Sequence, residues 1–168
     1  DEMQAAGIRP AALLVDTVFA SDGMLPDPAG FLAPAVDAIR AAGGVFIADE
    51  VQPGFGRCGR MWGFSRHGIT PDIVTMGKPM GNGHPVAGLM ARPDLVTEFG
   101  RSARYFNTFG GNPVSAAVGL AVLDVLHDER LIENAALTGA YLAQGIEGLV
   151  DGDERLGPVR AAGLYVGV

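Results

Sequence analysis

VFIADE at residues 45–50 and IVTMGK at residues 73–78 follow one pattern, in which a short, mainly apolar run leads directly into ionisable residues. Short apolar runs of this kind are typical of strands that are buried in a parallel sheet. Similar runs lie at residues 12–15 and 88–91. Because longer segments separate the runs, the sequence predicts an α/β fold whose strands are buried on both faces.

Helical patterns lie between and after these strands. Apolar residues recur at helical spacing across residues 31–39, before a stop at Gly43-Gly44, so the first two strands and this helix form a β-α-β unit. Asn112-Pro113 is a typical helix start, and the nearly all-apolar segment 114–126 predicts a buried helix. A further helix is predicted at about 131–149. Together these elements predict a three-layer α-β-α arrangement with a mainly parallel sheet.

The composition argues against several classes of function. The 168 residues are 48% apolar, and their net charge of −7 opposes binding to nucleic acid through its phosphates. Cys58 is the only cysteine, so no disulfide framework is expected, and the three histidines lack zinc-ligand spacing. No run approaches the roughly 20 apolar residues of a membrane span. We therefore expect a cytoplasmic protein without a metal, membrane or nucleic-acid partner.

Asp49 and Lys78 are the strand-end residues whose chemistry is most informative. A carboxylate that follows buried residues costs free energy unless hydrogen bonds or a cation compensate it. Asp49 can meet that need by capping a loop, by pairing with an arginine or by binding a cationic ligand. Lys78 lies in a glycine-rich loop and is a candidate nucleophile, because desolvation favours a neutral amine. The alternatives for Lys78 are a phosphate contact and a surface position, although the Walker A order is absent.

The two residues together indicate one cofactor. The carboxyl ends of neighbouring strands in an open α/β sheet meet at one crevice, so Asp49 and Lys78 are expected to reach the same ligand. An enzyme that uses pyridoxal 5′-phosphate (PLP) needs this pair. The lysine binds the aldehyde carbon, and the acid keeps the pyridine nitrogen protonated so that the ring accepts electrons. The pattern is therefore consistent with a PLP site, beside the alternatives given for each residue.

Three longer blocks carry a resemblance to a known family. They read DEVQPGFGR at residues 49–57, PDIVTMGKPMGNG at 71–83 and FNTFGGNP at 106–113. In order and spacing they resemble three successive blocks of the class III aminotransferases, which are PLP-dependent enzymes of fold type I. The resemblance runs through nearly the whole chain. Segments 75–85 and 107–115 especially resemble the branch that contains alanine-glyoxylate-aminotransferase-like proteins and phosphoethanolamine phospho-lyases.

The resemblance implies a role for each of five residues. Lys78 would form the internal Schiff base with the cofactor, and Asp49 would pair with the pyridinium nitrogen. Val51 would pack on one face of the ring, and Gln52 would form a hydrogen bond near the phenolic oxygen of the ring. Thr108 matches a threonine that reaches the cofactor phosphate of the neighbouring subunit, which implies a homodimer.

The resemblance also implies a domain division and a reaction. Residues 1–127 would be part of the PLP-binding large domain, and residues 128–168 would be a linking helix and the truncated start of a C-terminal α+β small domain. The implied reaction transfers an amino group from an amino acid or amine to a 2-oxo acid. Two alternatives stay open: a PLP-dependent phospho-lyase that acts on a phosphorylated amine, and a truncated domain without catalytic activity.

Two departures from the family pattern bear on these expectations. The N-terminal half of the family, which supplies the turn that cradles the cofactor phosphate, has no counterpart in these 168 residues. We therefore expect a fragment that retains PLP weakly or not at all. Asp16 stands where many members carry a glutamate that pairs with an arginine selecting substrate carboxylates. The shorter side chain leaves the handling of dicarboxylates open.

Overall fold

The computed structural model describes residues 2–168. In chain order its helices and strands are α1 (Glu2–Ala5), β1 (Ala12–Asp16), α2 (Ala33–Ala41), β2 (Val45–Asp49), β3 (Ile73–Met76), β4 (Gly88–Ala91), α3 (Pro93–Ser102), α4 (Pro113–Asp128), α5 (Leu131–Val150), β5 (Arg160–Ala162) and β6 (Tyr165–Gly167). Two short 3-10 helices, Gly63–His67 and Lys78–Gly81, lie in the loops that follow β2 and β3.

The first four strands form one sheet in the order β1-β2-β3-β4. The first three are parallel, and β4 is antiparallel to β3. Asp16 is aligned with Asp49, and Asp49 is aligned with Thr75, so three polar residues lie side by side where the parallel strands end. The predicted α/β fold with a mainly parallel sheet is confirmed. Strands β5 and β6 form a separate antiparallel hairpin.

Helix α2 covers one face of the four-stranded sheet. Val36 on α2 packs with Phe46 and Ala48 on β2, and all three side chains are fully buried. On the opposite face, Leu14 of β1 is 61% exposed and Leu89 of β4 is 64% exposed. The prediction that the strands are buried on both faces is therefore wrong for this chain. Burial of the second face requires a covering layer that residues 2–168 do not supply.

Helix α4 begins as predicted but is not buried. The side-chain Oδ1 of Asn112 accepts a hydrogen bond from the backbone N–H of Ser115 at 2.8 Å, which caps the first turn. None of the α4 residues is buried, and Val114 and Leu120 are 63% and 62% exposed. The prediction of a buried helix over 114–126 is therefore wrong in this chain. No helix within residues 2–168 combines the length and apolar character that a membrane span requires.

Asp72 joins four elements of the fold at the start of β3. One carboxylate oxygen accepts hydrogen bonds from the backbone N–H of Phe46 at 2.8 Å and from Arg40 at 3.2 Å, and the other accepts from Arg92 at 2.6 Å. Burial raises the pKa of Asp72, but the hydrogen bonds from Phe46, Arg92 and Arg40 outweigh it and hold the pKa below its ordinary value. The contact between Asp72 and Phe46 helps to set the register of β3 against β2.

Asp72→Asn is expected to lower the free energy of unfolding by about 2–3 kcal/mol, because the amide group places a donor against the donors that now face a carboxylate. Urea denaturation measures the change. The folded-state pKa of Asp72 is lowered, so this difference is complete above the ordinary aspartate pKa and disappears as the pH falls through the folded-state pKa. Asp37→Asn, on the exposed side of α2, is the matched control. Equal urea midpoints for wild type and Asp72→Asn at neutral pH would contradict the assignment.

Candidate active site

The loops that follow β2 and β3 meet at the carboxyl edge of the sheet. Asp49 is aligned with Thr75, and Lys78 follows Thr75 by three residues at the start of the 3-10 helix Lys78–Gly81. The two methyl groups of Val51 lie 3.9 and 4.0 Å from the position that a Cβ on Gly77 would take. The structure therefore brings the backbone segments that carry Asp49, Val51 and Lys78 to one edge.

Asp49 has one carboxylate oxygen engaged and one free. Its Oδ1 accepts hydrogen bonds from the backbone N–H of Val51 at 3.0 Å and from the hydroxyl of Thr75 at 3.4 Å. Among residues 2–168, no hydrogen bond reaches its Oδ2, and no arginine pairs with it. The half-buried carboxylate is thus oriented by its own loop and keeps an acceptor available for a ligand.

Lys78 is exposed and has a φ of 28°, in the left-handed region that residues with a side chain rarely adopt. Backbone strain of this kind costs on the order of 1–3 kcal/mol and is concentrated at functional sites. Lys78 is also the only lysine of the chain, and the other 11 of its 12 Lys and Arg residues are arginines. A guanidinium stays protonated, so Lys78 is the one side-chain amine here that can act as a nucleophile.

Gln52 lies half-buried three residues after Asp49. Its backbone carbonyl accepts a hydrogen bond from the hydroxyl of Tyr165 at 2.7 Å, and its side-chain oxygen lies 3.4 Å from the same hydroxyl. Arg57 also approaches that side-chain oxygen, at 3.4 Å. Gln52 is therefore tied to the C-terminal hairpin, a connection that no local sequence pattern predicts.

Thr108 lies on a different loop from Asp49, Val51, Gln52 and Lys78. It is part of the exposed loop 103–111 that precedes α4, and no hydrogen bond within residues 2–168 joins it to Asp49, Gln52 or Lys78. The loop is shaped by Asn107, whose side-chain oxygen accepts from the backbone N–H groups of residues 109 and 110 at 3.1 and 2.9 Å. Thr108 is consequently presented to the outside of this chain.

Glu50, the residue after Asp49, is a buried carboxyl group beside the site. Its side chain is fully buried. It accepts hydrogen bonds from the hydroxyl of Thr17 at 3.1 Å and from the backbone N–H groups of Gly63 and Phe64 at 2.7 and 2.9 Å. Burial raises the pKa of Glu50, and these three hydrogen bonds offset part of that rise. Strand alternation is the signal for its burial, because Phe46, Ala48 and Glu50 share one face.

The edge of the sheet concentrates negative charge. Both oxygens of Asp16 accept backbone hydrogen bonds at 3.0 Å, from Val18 and from Ala20. Burial raises the pKa of Asp16, and the neighbouring charge of Asp49 adds to the rise. With Glu50, three carboxyl groups thus lie at two adjacent strand ends. Such a region favours a cationic ligand group over an anionic one.

Cys58 is not a reactive site. Its side chain is only 3% exposed, and burial raises the pKa of the thiol to about 12, so the thiolate needed for nucleophilic attack does not form near neutral pH. Within residues 2–168, no cluster of three or more His, Cys, Asp or Glu side chains is placed to hold a metal ion.

Comparison with known proteins identifies the family. The family model described as "Aminotransferase class-III" matches residues 3–168. The chain belongs to the class III aminotransferases. Its predicted membership of this family, and of the branch that includes alanine-glyoxylate aminotransferase and phospholyase proteins, is confirmed.

Three similar proteins show how closely the class III chain matches this branch. It is 45% identical to alanine–glyoxylate aminotransferase 2 homolog 2, mitochondrial, of Arabidopsis thaliana, over 94% of the chain and 33% of the plant protein. It is 43% identical to alanine–glyoxylate aminotransferase 2, mitochondrial, of Homo sapiens, over 94% of the chain and 31% of the human protein. A phospholyase from Arthrobacter in complex with phosphoethanolamine superposes with a TM-score of 0.92 at 44% identity, covering 98% of the chain and 39% of the phospholyase.

These comparisons correct one expectation. The plant and human relatives are named mitochondrial, so the prediction of a cytoplasmic protein is wrong. That prediction depended on the single cysteine, which indicates the absence of structural disulfides but does not distinguish one reducing compartment from another. The class III chain also spans only about a third of the length of these relatives.

Glu50→Gln is expected to lower the free energy of unfolding by about 1–3 kcal/mol although the two side chains have the same shape. Both carboxylate oxygens accept backbone N–H groups, so a glutamine amide must place its NH2 group against one of them. Urea denaturation and amide hydrogen exchange at Gly63 and Phe64 measure the effect. Glu98→Gln on the exposed face of α3 is the control. Unchanged exchange at both amides would contradict the role of Glu50.

Proposed function

We propose that this chain is the central part of a PLP-dependent aminotransferase, which transfers an amino group from an amino acid or an amine to a 2-oxo acid. The proposal depends on one observation: Asp49 ends β2 and Lys78 follows β3, and these adjacent parallel strands are in register, so an acid and the only lysine lie at one edge of the sheet. Membership of class III and the names of the plant and human relatives support the reaction.

The residues at this edge fit PLP. The Oδ2 of Asp49, which accepts no hydrogen bond within residues 2–168, is available to a protonated pyridine nitrogen. The neighbouring carboxyl group of Asp16, whose charge interacts with that of Asp49, adds negative potential that favours the protonated form. Val51 offers methyl groups to the face of the ring beside Gly77. The amide of Gln52 is a hydrogen-bond partner for the phenolic oxygen.

The chemistry assigns two tasks to Lys78 and one to Asp49. When bound, PLP supplies an aldehyde that bonds to amines and a ring that accepts electrons from the neighbouring carbon. Lys78 would hold the aldehyde carbon through Nζ until a substrate amine takes its place, and the freed Nζ would then accept the proton that leaves the substrate carbon. Asp49 keeps the ring nitrogen protonated before the substrate arrives, so no reorganisation is needed during the reaction.

We also propose that the active enzyme is a homodimer. Loop 103–111 exposes Phe106 and Phe109 by 86% and 82%, and it carries Thr108. Exposed aromatic clusters of this kind are typical of protein interfaces. In a two-fold dimer, Thr108 would reach the cofactor phosphate bound by the partner subunit. This arrangement accounts for the exposure of Thr108 and for the absence of a hydrogen bond between it and Asp49 or Lys78 within residues 2–168.

The proposed domain division assigns residues 1–127 to the large PLP-binding domain, and residues 128–168 to a linking helix and the start of the small domain. The separation of the two sheets supports this division, because β1 to β4 lie within residues 12–91 and β5 and β6 within residues 160–167. Helix α5 packs against both strands of the hairpin. Helix α5 also packs against α4, so it contacts both parts of the chain, as a linking helix does.

A phospho-lyase is the second candidate function. The observation that favours it is the TM-score of 0.92 and identity of 44% to the phospholyase from Arthrobacter in complex with phosphoethanolamine. A lyase would use the same acid and lysine but release phosphate from a phosphorylated amine instead of transferring its amino group. A third candidate is a non-catalytic domain. It is favoured only because the chain spans about a third of the length of its relatives.

Absorbance of the full-length protein with PLP distinguishes the three functions. We expect the visible absorption of bound PLP to bleach when an amino acid or amine donates its amino group, and to return when a 2-oxo acid is added. Release of phosphate from phosphoethanolamine with the absorption unchanged after turnover would indicate the lyase. Absence of PLP uptake would indicate the non-catalytic domain. Lys78→Ala and the charge-preserving Lys78→Arg should both lose turnover and all PLP trapped by borohydride.

Mixed dimers test the position of Thr108. Thr108→Ala is expected to weaken PLP binding by about 10- to 100-fold, because it removes a hydrogen bond to a charged group. When Thr108→Ala and Lys78→Ala subunits are co-expressed, each mixed dimer should contain one site with both residues intact, and activity should return. If Thr108 acts on the site of its own chain, no site combines both residues. Activity that stays at the level of the separate variants would then contradict the dimer proposal.

A further inference from the structure

We propose that Tyr165 is a positioning residue for Gln52, and that with Arg57 it orients the Gln52 carboxamide so that the Nε2 group is presented to the cofactor. The inference rests on the proposed PLP function and adds a residue from the C-terminal hairpin to the site. Tyr165 and Gln52 are 113 residues apart in the chain. The orienting contact therefore joins the two proposed domains.

Three contacts hold Gln52. The Tyr165 hydroxyl donates to the backbone carbonyl of Gln52 at 2.7 Å, a short and well-formed hydrogen bond. The same hydroxyl lies 3.4 Å from the side-chain Oε1, and Nη1 of Arg57 lies 3.4 Å from Oε1 as well. The guanidinium of Arg57 lies over the Tyr165 ring at 4.8 Å, a cation–π contact that ties the two residues to each other. Gln52, Arg57 and Tyr165 thus form one connected group.

The donors in this group decide which end of the carboxamide faces outward. Arginine has only donors, so Arg57 requires an acceptor from the carboxamide, whereas the single proton of the Tyr165 hydroxyl is used on the Gln52 backbone carbonyl. The amide oxygen is consequently the end that faces Arg57, and Tyr165 acts on the carboxamide by holding the Gln52 backbone and the Arg57 guanidinium. The Nε2 group points the other way and has a single long contact of 3.5 Å with the hydroxyl of Ser21. Gln52 therefore offers a hydrogen-bond donor to an anionic oxygen such as the phenolic oxygen of PLP.

The hairpin places Tyr165 through its backbone. The N–H of Leu164 donates to the carbonyl of Arg57 at 3.0 Å, which sets the hairpin against the loop that follows Gln52. Gly163 has a φ of 56°, and a Cβ there would overlap the backbone at Cys58 and Gly59. The turn can approach this loop so closely because Gly163 has no side chain.

The hydroxyl of Tyr165 remains a donor over the working range of pH. Burial raises its pKa to about 12, although the nearby charge of Arg57 acts in the opposite direction. A deprotonated Tyr165 would repel the Gln52 carbonyl and lose the 2.7 Å hydrogen bond. The surroundings therefore keep the group in the state that the orientation of Gln52 requires.

Tyr165→Phe in the full-length enzyme removes the hydroxyl and keeps the ring beneath Arg57. We expect the dissociation constant of PLP, measured by titration of the apoenzyme, to rise about threefold to tenfold. In a Gln52→Ala background, the same substitution should change the constant by less than about twofold, because Tyr165 acts through Gln52. Arg57→Met should give the same pattern as Tyr165→Phe, with weaker PLP binding when Gln52 is present and little change in the Gln52→Ala background. Tyr141→Phe, at an 80% exposed position on α5, is the control for removing a hydroxyl.

The outcomes separate this inference from the function on which it rests. An unchanged PLP affinity in Tyr165→Phe, or an equal loss with and without Gln52, would overturn the positioning role, because a general effect on the fold does not depend on Gln52. If the wild-type enzyme takes up no PLP, the proposed function itself fails, and the inference fails with it. If Tyr165→Phe weakens PLP binding in the wild-type background but not in the Gln52→Ala background, the result supports both the positioning role and the proposed function.

Discussion

The register between β2 and β3 is the constraint on which the candidate site depends. Asp49 lies beside Thr75 because these parallel strands are held in one register, and Lys78 follows Thr75 by three residues. Asp72 helps to hold that alignment, since its carboxylate accepts the backbone N–H of Phe46 and two arginine side chains. A shift of one residue would turn the strand-end side chains to the opposite face. An ion-paired residue outside the site therefore governs the chemistry at its edge.

Buried polar contacts extend this order from the strands into the loops. Glu50 accepts two backbone N–H groups of the 3-10 helix Gly63–His67 and so closes the loop that carries Val51, Gln52 and Arg57. Tyr165 holds the same loop from the C-terminal hairpin. Val51 and Gln52, which would contact PLP, thus lie on a loop that is held at two points. Preorganisation of this kind reduces the cost of ordering a site when a ligand binds.

The surfaces that stay open are as informative as the core. Leu14 and Leu89 on one face of the sheet, and the apolar residues of α4, are exposed in a chain that spans about a third of its relatives. Their strand and helix patterns are those of buried elements. Residues 2–168 therefore leave uncovered the apolar faces of elements whose patterns are those of buried strands and helices.

Local patterns in the sequence were sufficient for the four strands of the larger sheet, for the helix start at Asn112 and for placing Asp49 and Lys78 at strand ends. These features depend on periodicity and capping within a few residues. Tertiary structure alone decided the burial of Glu50 against residues 63 and 64, the exposure of α4 and the contact of Tyr165 with Gln52. Each of these depends on which distant segments pack together, and that choice is made by long-range contacts that no short window of sequence contains.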